Sequence, residues 1–160
     1  MDRARGRIAP GGATPGRGPV TSLASLEPWR TSLLPREIFA ELFVRDVTAN
    51  LAIFRDVLGF EVVRDEPGFA GLRHGASTLL LNDGTPPGSG PGGWAETPYP
   101  EGLPRGGGLE LAVVVEDLAE CFARAAAAGL RIVVEPRDRP WGRTDFRFLL
   151  PDGYYVRVTT

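Results

Sequence analysis

The chain has no lysine, a single histidine, His74, and a single cysteine, Cys121. One cysteine excludes an intrachain disulfide, so nothing points to an oxidising compartment. One histidine in a predicted turn assembles neither a catalytic triad nor a histidine-rich metal site. No apolar run approaches the ~20 residues of a membrane helix, and no apolar stretch of ~7–15 residues near the start reads as a signal peptide. A net charge of −2 leaves no clustered basic face for nucleic acid. A phosphate-cradling loop is missing too, because Gly106-Gly107-Gly108 leads into a strand and not a helix. All 18 basic residues are arginine. With the abundant Ala, Gly and Pro, this bias points to a GC-rich genome and to a cytoplasmic bacterial protein.

What the chain has instead is a repeat. Phe39-Ala40-Glu41-Leu42-Phe43-Val44-Arg45-Asp46 precedes an amphipathic run that stops at Gly59-Phe60. Glu110-Leu111-Ala112-Val113-Val114-Val115-Glu116-Asp117 precedes a similar run that stops at Gly129-Leu130. The aspartates are 117 − 46 = 71 residues apart and the glycines 129 − 59 = 70, so one register persists through strand, cap and helix.

Each copy reads as strand, helix and three further strands. In the first, Leu51, Phe54, Val57 and Leu58 share one helical face, with Asp46 or Thr48 as the cap and Gly59 as the terminator. Short strands follow over 60–64, 69–73 and 78–81, divided by turns at Glu66-Pro67-Gly68 and His74-Gly75. In the second, Asp117 and Glu120 form a capping-box pattern, and Leu118, Cys121, Phe122 and Ala125 make the buried stripe. Strands are expected over 131–134, 146–150 and 154–158. The fold class is therefore α+β: two tandem βαβββ units, 37–83 and 109–160, with eight strands in a mixed sheet around a concave cavity. Residues 1–36, rich in Gly, Pro and Arg, read as a flexible leader. The Gly/Pro-rich linker 84–108, carrying Trp94 and Tyr99, is long enough to suggest a functional loop near the cavity mouth or a dimer interface.

This pattern resembles the vicinal oxygen chelate superfamily of glyoxalases, extradiol dioxygenases, fosfomycin-modifying enzymes and bleomycin-resistance proteins. The residues that carry it are Ala52-Ile53-Phe54-Arg55-Asp56-Val57-Leu58-Gly59-Phe60, Val115-Glu116-Asp117-Leu118, Arg139-Pro140-Trp141-Gly142 with Asp145-Phe146, and Pro151-Asp152-Gly153-Tyr154. The resemblance implies four metal-ligand positions in the metal-dependent members, which fall here at Phe39, Leu80, Glu110 and Arg157. Phe and Leu cannot coordinate and Arg157 brings a positive charge, so no metal and no other cofactor is expected.

Strand alternation gives the remaining lining. Phe39, Glu41 and Phe43 share one face of the first strand, Glu110 and Ala112 one face of its counterpart, and Tyr155 and Arg157 one face of the last strand, with Leu80 opposite. Such a surface suits a flat organic ligand held by stacking and a few polar anchors. Glu110 and Arg157 are expected to pair, either as scaffold or as ligand contacts. Trp141 stands at the rim, either stacking on a ligand, as the resemblance implies, or packing on the sheet edge. Cys121 reads as a small core residue.

The expected function is metal-free capture of a small aromatic organic ligand or antibiotic, as in the bleomycin-resistance branch, by a chain that pairs as a homodimer. The alternative is a lyase, isomerase or oxygenase with divergent metal ligands, or with Glu110 as a general base. Neither nucleic acid nor membrane is an expected partner.

Overall fold

The computed structural model describes residues 38–86, 99–100 and 102–160. The leader 1–36 with Trp29, and the part of the linker that carries Trp94, lie outside them. In chain order the elements are β1 (Ala40–Phe43), α1 (Val47–Ala52) widening into a π-helical stretch (Ile53–Val57), β2 (Glu61–Glu66), β3 (Phe69–His74) and β4 (Ser77–Asn82), then β5 (Glu110–Val114), α2 (Leu118–Ala127), β6 (Arg131–Asp138), β7 (Thr144–Leu149) and β8 (Tyr155–Thr159). This is the duplicated βαβββ pattern, and the eight strands divide into two four-stranded sheets ordered β1-β4-β3-β2 and β5-β8-β7-β6. In each sheet the first strand runs parallel to the last, and the other pairings are antiparallel. Among the described residues no helix is long and apolar enough to cross a membrane.

The caps follow the sequence. Asp46 Oδ1 accepts the Ala49 N–H at 2.8 Å, and Asp117 Oδ1 accepts the Glu120 N–H at 2.8 Å. Only half of the capping box forms in α2, since Glu120 pairs with Arg124 one turn on. Gly59 and Gly129 follow the helices at φ of 76° and 68°, the left-handed conformation that favours glycine.

The π stretch explains an irregularity in the repeat. From cap to terminator the first unit has 59 − 46 = 13 steps and the second 129 − 117 = 12. The extra residue is absorbed by the wide turn, where Leu58 N–H donates to Ile53 O, five residues back, at 3.2 Å. The closing bond lengthens accordingly: Phe60 N–H reaches Phe54 O, six residues back, whereas Leu130 N–H reaches Ala125 O, five back.

One core serves both units. Phe54, Leu42, Leu72 and Leu81 from the first pack in the same cluster as Phe146, Phe148, Val156 and Val158 from the second. The polar ties between units are specific. Buried Asp152, in the turn before β8, accepts Arg45 N–H at 3.1 Å, the Arg45 guanidinium at 2.9 Å and Asn50 Nδ2–H at 3.3 Å. Tyr154 Oη–H donates to Phe43 O at 3.0 Å, and the Val57 carbonyl left over at the end of the π stretch accepts from Cys121 Sγ and Arg124 Nε. Burial pushes the Cys121 thiol and the Tyr154 phenol above their ordinary pKa values.

Most strand ends lie within two residues of the sequence reading, and the largest differences fall in the β6–β7 hairpin. β6 continues past Val134 to Asp138, through Pro136, because register shifts between Ile132 and Val134 and again between Val134 and Arg137 let the strand pass the proline without a regular ladder bond there. β7 begins at Thr144, earlier than expected, since Thr144 pairs with Asp138 at the end of that longer hairpin.

Candidate functional site

The helices cover one face of each sheet, and the residues expected to line a cavity sit on the other. Cross-strand register arranges them in rows. On the first sheet, Glu41, Leu80, Gly71 and Arg64 form one row, and Phe43, Asn82, Phe69 and Glu66 the next. On the second sheet, Ala112, Arg157, Arg147 and Val134 form one row, and Glu110, Tyr155, Leu149 and Arg131 the next. Leu80 and Arg157 therefore occupy equivalent points in the two units: each pairs with the residue five before the helix cap, Glu41 before Asp46 or Ala112 before Asp117.

The first face is buried at its centre. Leu80 is only 6% exposed, and Phe69 and Asn82 are also buried. Glu41 is held as an acceptor by Asn82 Nδ2–H at 2.9 Å, Arg64 pairs with Glu66, and the Phe43 ring meets Tyr99 at 5.3 Å between centroids. Phe39, at the strand's start, is exposed.

The second face is open and charged. Glu110 Oε1 lies 3.5 Å from Arg147 Nε and Glu110 Oε2 lies 3.5 Å from Arg157 Nε, with side chains 36%, 20% and 28% exposed respectively. The pairing expected between Glu110 and Arg157 is thus present but partly exposed, and it is shared with a second guanidinium. Arg139 Nε donates to Asp145 Oδ2 at 2.9 Å in a two-pronged contact, and Asp145, fully buried, also lies 3.8 Å from Arg147 Nε. The hydrogen bond from Arg139, with the fields of Arg139, Arg147 and Arg157, holds the Asp145 carboxyl below the usual carboxylate range. The Arg147 guanidinium stands 5.9 Å from the centre of the Tyr155 ring. Trp141, in the loop between β6 and β7, is 59% exposed, with the Arg139 guanidinium 6.0 Å from its ring centre.

The expected residues therefore separate into two sets. Glu110, Ala112, Tyr155 and Arg157 come together on the second sheet, with Trp141 joined to them through Arg139 and Asp145. Glu41, Phe43 and Leu80 lie on the first. A cavity of about 170 Å³ does open where the units meet, but it is lined by Ala40, Phe54, Phe60, Ser77–Leu79 and Leu111–Val113. Of the expected lining, this cavity has Ala112. Sequence reasoning missed Arg147, Asp145 and Arg139. The signal was present in Asp145-Phe146-Arg147-Phe148: with both phenylalanines in the core, strand alternation sends Asp145 and Arg147 to the face that holds Arg157.

The donor set does not suit a metal. Phe39, Leu80, Glu110 and Arg157 stand where the resemblance implies ligands, and one carboxylate facing two guanidiniums is not a divalent-cation site. Among the described residues no three His, Cys, Asp or Glu cluster closely enough to hold one elsewhere. His74 Nε2–H donates to the Val114 carbonyl at 2.8 Å and the ring stacks on Phe60, so it helps join the units.

A family model described as Glyoxalase/Bleomycin resistance protein/Dioxygenase superfamily matches residues 38–158. No curated protein matches the chain. Among solved structures, TioX from Micromonospora sp. ML1 is similar at 24% identity and a TM-score of 0.55, over 76% of this chain and 93% of that one. A protein of unknown function from Agrobacterium tumefaciens str. C58 is similar at 23% identity and a TM-score of 0.62, over 79% and 94%. A lactoylglutathione lyase from Agrobacterium tumefaciens is similar at 25% identity and a TM-score of 0.53, over 78% and 93%.

Proposed function

The chain belongs to the glyoxalase/bleomycin resistance protein/dioxygenase superfamily, and we propose that within it this protein captures a small aromatic organic ligand without a metal, in the manner of the bleomycin-resistance branch. The observation that supports this reading is the replacement at the family's ligand positions. Phe39, Leu80 and Arg157 offer no donor for a cation, while Tyr155, Trp141 and the guanidiniums around Glu110 offer stacking and polar anchoring. A carboxylate whose two oxygens each face a guanidinium serves as a counter-ion, which speaks against Glu110 as the base of an enzyme. The homodimer that the resemblance implies belongs to the same proposal, and light scattering reads it directly.

The test is elemental analysis of the purified, untagged chain, with melting recorded with and without Mn, Fe, Ni, Zn and a chelator. The expected result is no stoichiometric metal and no shift of the melting temperature with chelator. A bound metal whose removal lowers that temperature would overturn the reading and make the protein an enzyme of divergent ligand set.

A further inference from the structure

The open face of the second sheet holds more positive than negative charge, and two of its donors are left without partners. Arg147 and Arg157 are direct cross-strand neighbours, a placement in which like charges repel. One carboxylate, Glu110, stands between them, and neither distance is short enough for a hydrogen bond. The Nε atoms of both arginines are buried with no hydrogen-bond partner. Asp145 adds its charge but no hydrogen bond, because its nearer oxygen lies 3.8 Å from Arg147 Nε. Arg131, Arg137, Arg139, Arg147 and Arg157 against Glu110 and Asp145 give a local charge of 5 − 2 = +3, in a chain whose net charge is −2. The excess is therefore local to this sheet face.

We infer that this face binds the anionic group of a planar aromatic acid, with Arg147 and Arg157 clamping the anion and Tyr155 contacting the ring. The inference rests on the capture reading and names its ligand class. A single carboxylate offsets part of that excess and matches the fork of a guanidinium in shape. Tyr155 adjoins Arg147, and Ala112, Leu149 and exposed Val114 give the same face apolar ground on which a ring can lie.

Calorimetric titration of the full chain with two matched pairs tests this: 1-naphthoate against 1-naphthamide, and indole-3-acetate against indole-3-acetamide. The amides keep the ring and remove the charge. At least one acid should bind ~10-fold or more tightly than its amide, with the preference shrinking as salt is raised. In R147Q and R157Q, shown folded by their melting curves, that preference should disappear. Equal binding of acid and amide in the unmutated protein would overturn the inference and leave capture standing, as would a preference that survives both substitutions. No binding of any of the four would overturn both. The acid–amide comparison and its salt dependence need no variant, so a substitution that unfolds the chain does not blunt the test.

Discussion

The uncovered faces of the two sheets share register and differ in almost everything else. Where the first sheet reads Glu41, Leu80, Gly71 and Arg64 across its strands, the second reads Ala112, Arg157, Arg147 and Val134. The first face is buried at Leu80, Phe69 and Asn82, and Glu41, Arg64 and Arg73 each find a partner on their own sheet. The second keeps two adjacent guanidiniums partly in solvent around one carboxylate. Duplication supplied two equivalent frames, and the difference shows that one has buried apolar residues at its centre where the other carries two guanidiniums.

Exchanging the equivalent residues is the strongest way to break this comparison. Leu80→Arg puts a guanidinium at a buried position, 6% exposed, and should cost on the order of 3 kcal/mol or prevent folding. Arg157→Leu makes the reverse change on a half-open face and should stay within about 1 kcal/mol. Urea unfolding of both variants reads the difference. Equal costs would mean that the two faces are equally closed and that the openness of the second sheet is not real.

The frame itself was legible in the sequence because its signals are local. The caps at Asp46 and Asp117, the left-handed glycines at 59 and 129 and the alternation of the last strand depend on a few neighbouring residues. Even the π stretch left a trace, as the one-residue mismatch between the offsets of 71 and 70, although a count alone does not say how the extra residue is absorbed. The contacts between units were not legible. Asp152 reads as an ordinary turn aspartate, yet it is buried and clamps Arg45 and Asn50 from 102 to 107 residues away. The site was half legible for the same reason: Glu110 and Arg157 lie at repeat-anchored positions, whereas Arg147 joins them through the pairing of β7 with β8.

An effect of similar size sharpens the charged side of the comparison. Asp145→Ala strands the Arg139 guanidinium, itself only 8% exposed, and should cost about 3 kcal/mol. The same contact sets an acid limb. Since the folded state lowers the Asp145 pKa from its ordinary 3.8, its contribution is present above that value and is lost as pH falls through the lower folded value. Unfolding curves of the parent and of Asp145→Ala should therefore converge as pH is taken below about 4. Parallel curves would show that Arg139 does not depend on the charge of Asp145.

At the junction between units the sign reverses. Cys121 and Tyr154 have pKa values raised from 9.0 and 10.0, so the folded state favours their neutral forms. Their contribution is complete below those ordinary values and is lost as pH rises, first through 9.0 for the thiol and then through 10.0 for the phenol. Tyr154→Phe removes the bond to the Phe43 carbonyl, should cost about 1 kcal/mol at neutral pH, and should flatten the alkaline fall in melting temperature. An unchanged alkaline slope in that variant would place the loss on Cys121 alone.

The smallest expected effect is the most telling for the open face. Glu110→Gln removes the carboxylate between Arg147 and Arg157, and in a sealed interior that would cost as much as losing Asp145. Here the carboxylate is 36% exposed and both nitrogens lie at 3.5 Å, so the change should move stability by less than about 1 kcal/mol. It should also tighten the binding of 1-naphthoate, because the ligand's carboxylate no longer shares the guanidiniums with a resident one. A loss of several kcal/mol would instead mark Glu110 as part of the scaffold, and the second face would then serve folding as fully as the first.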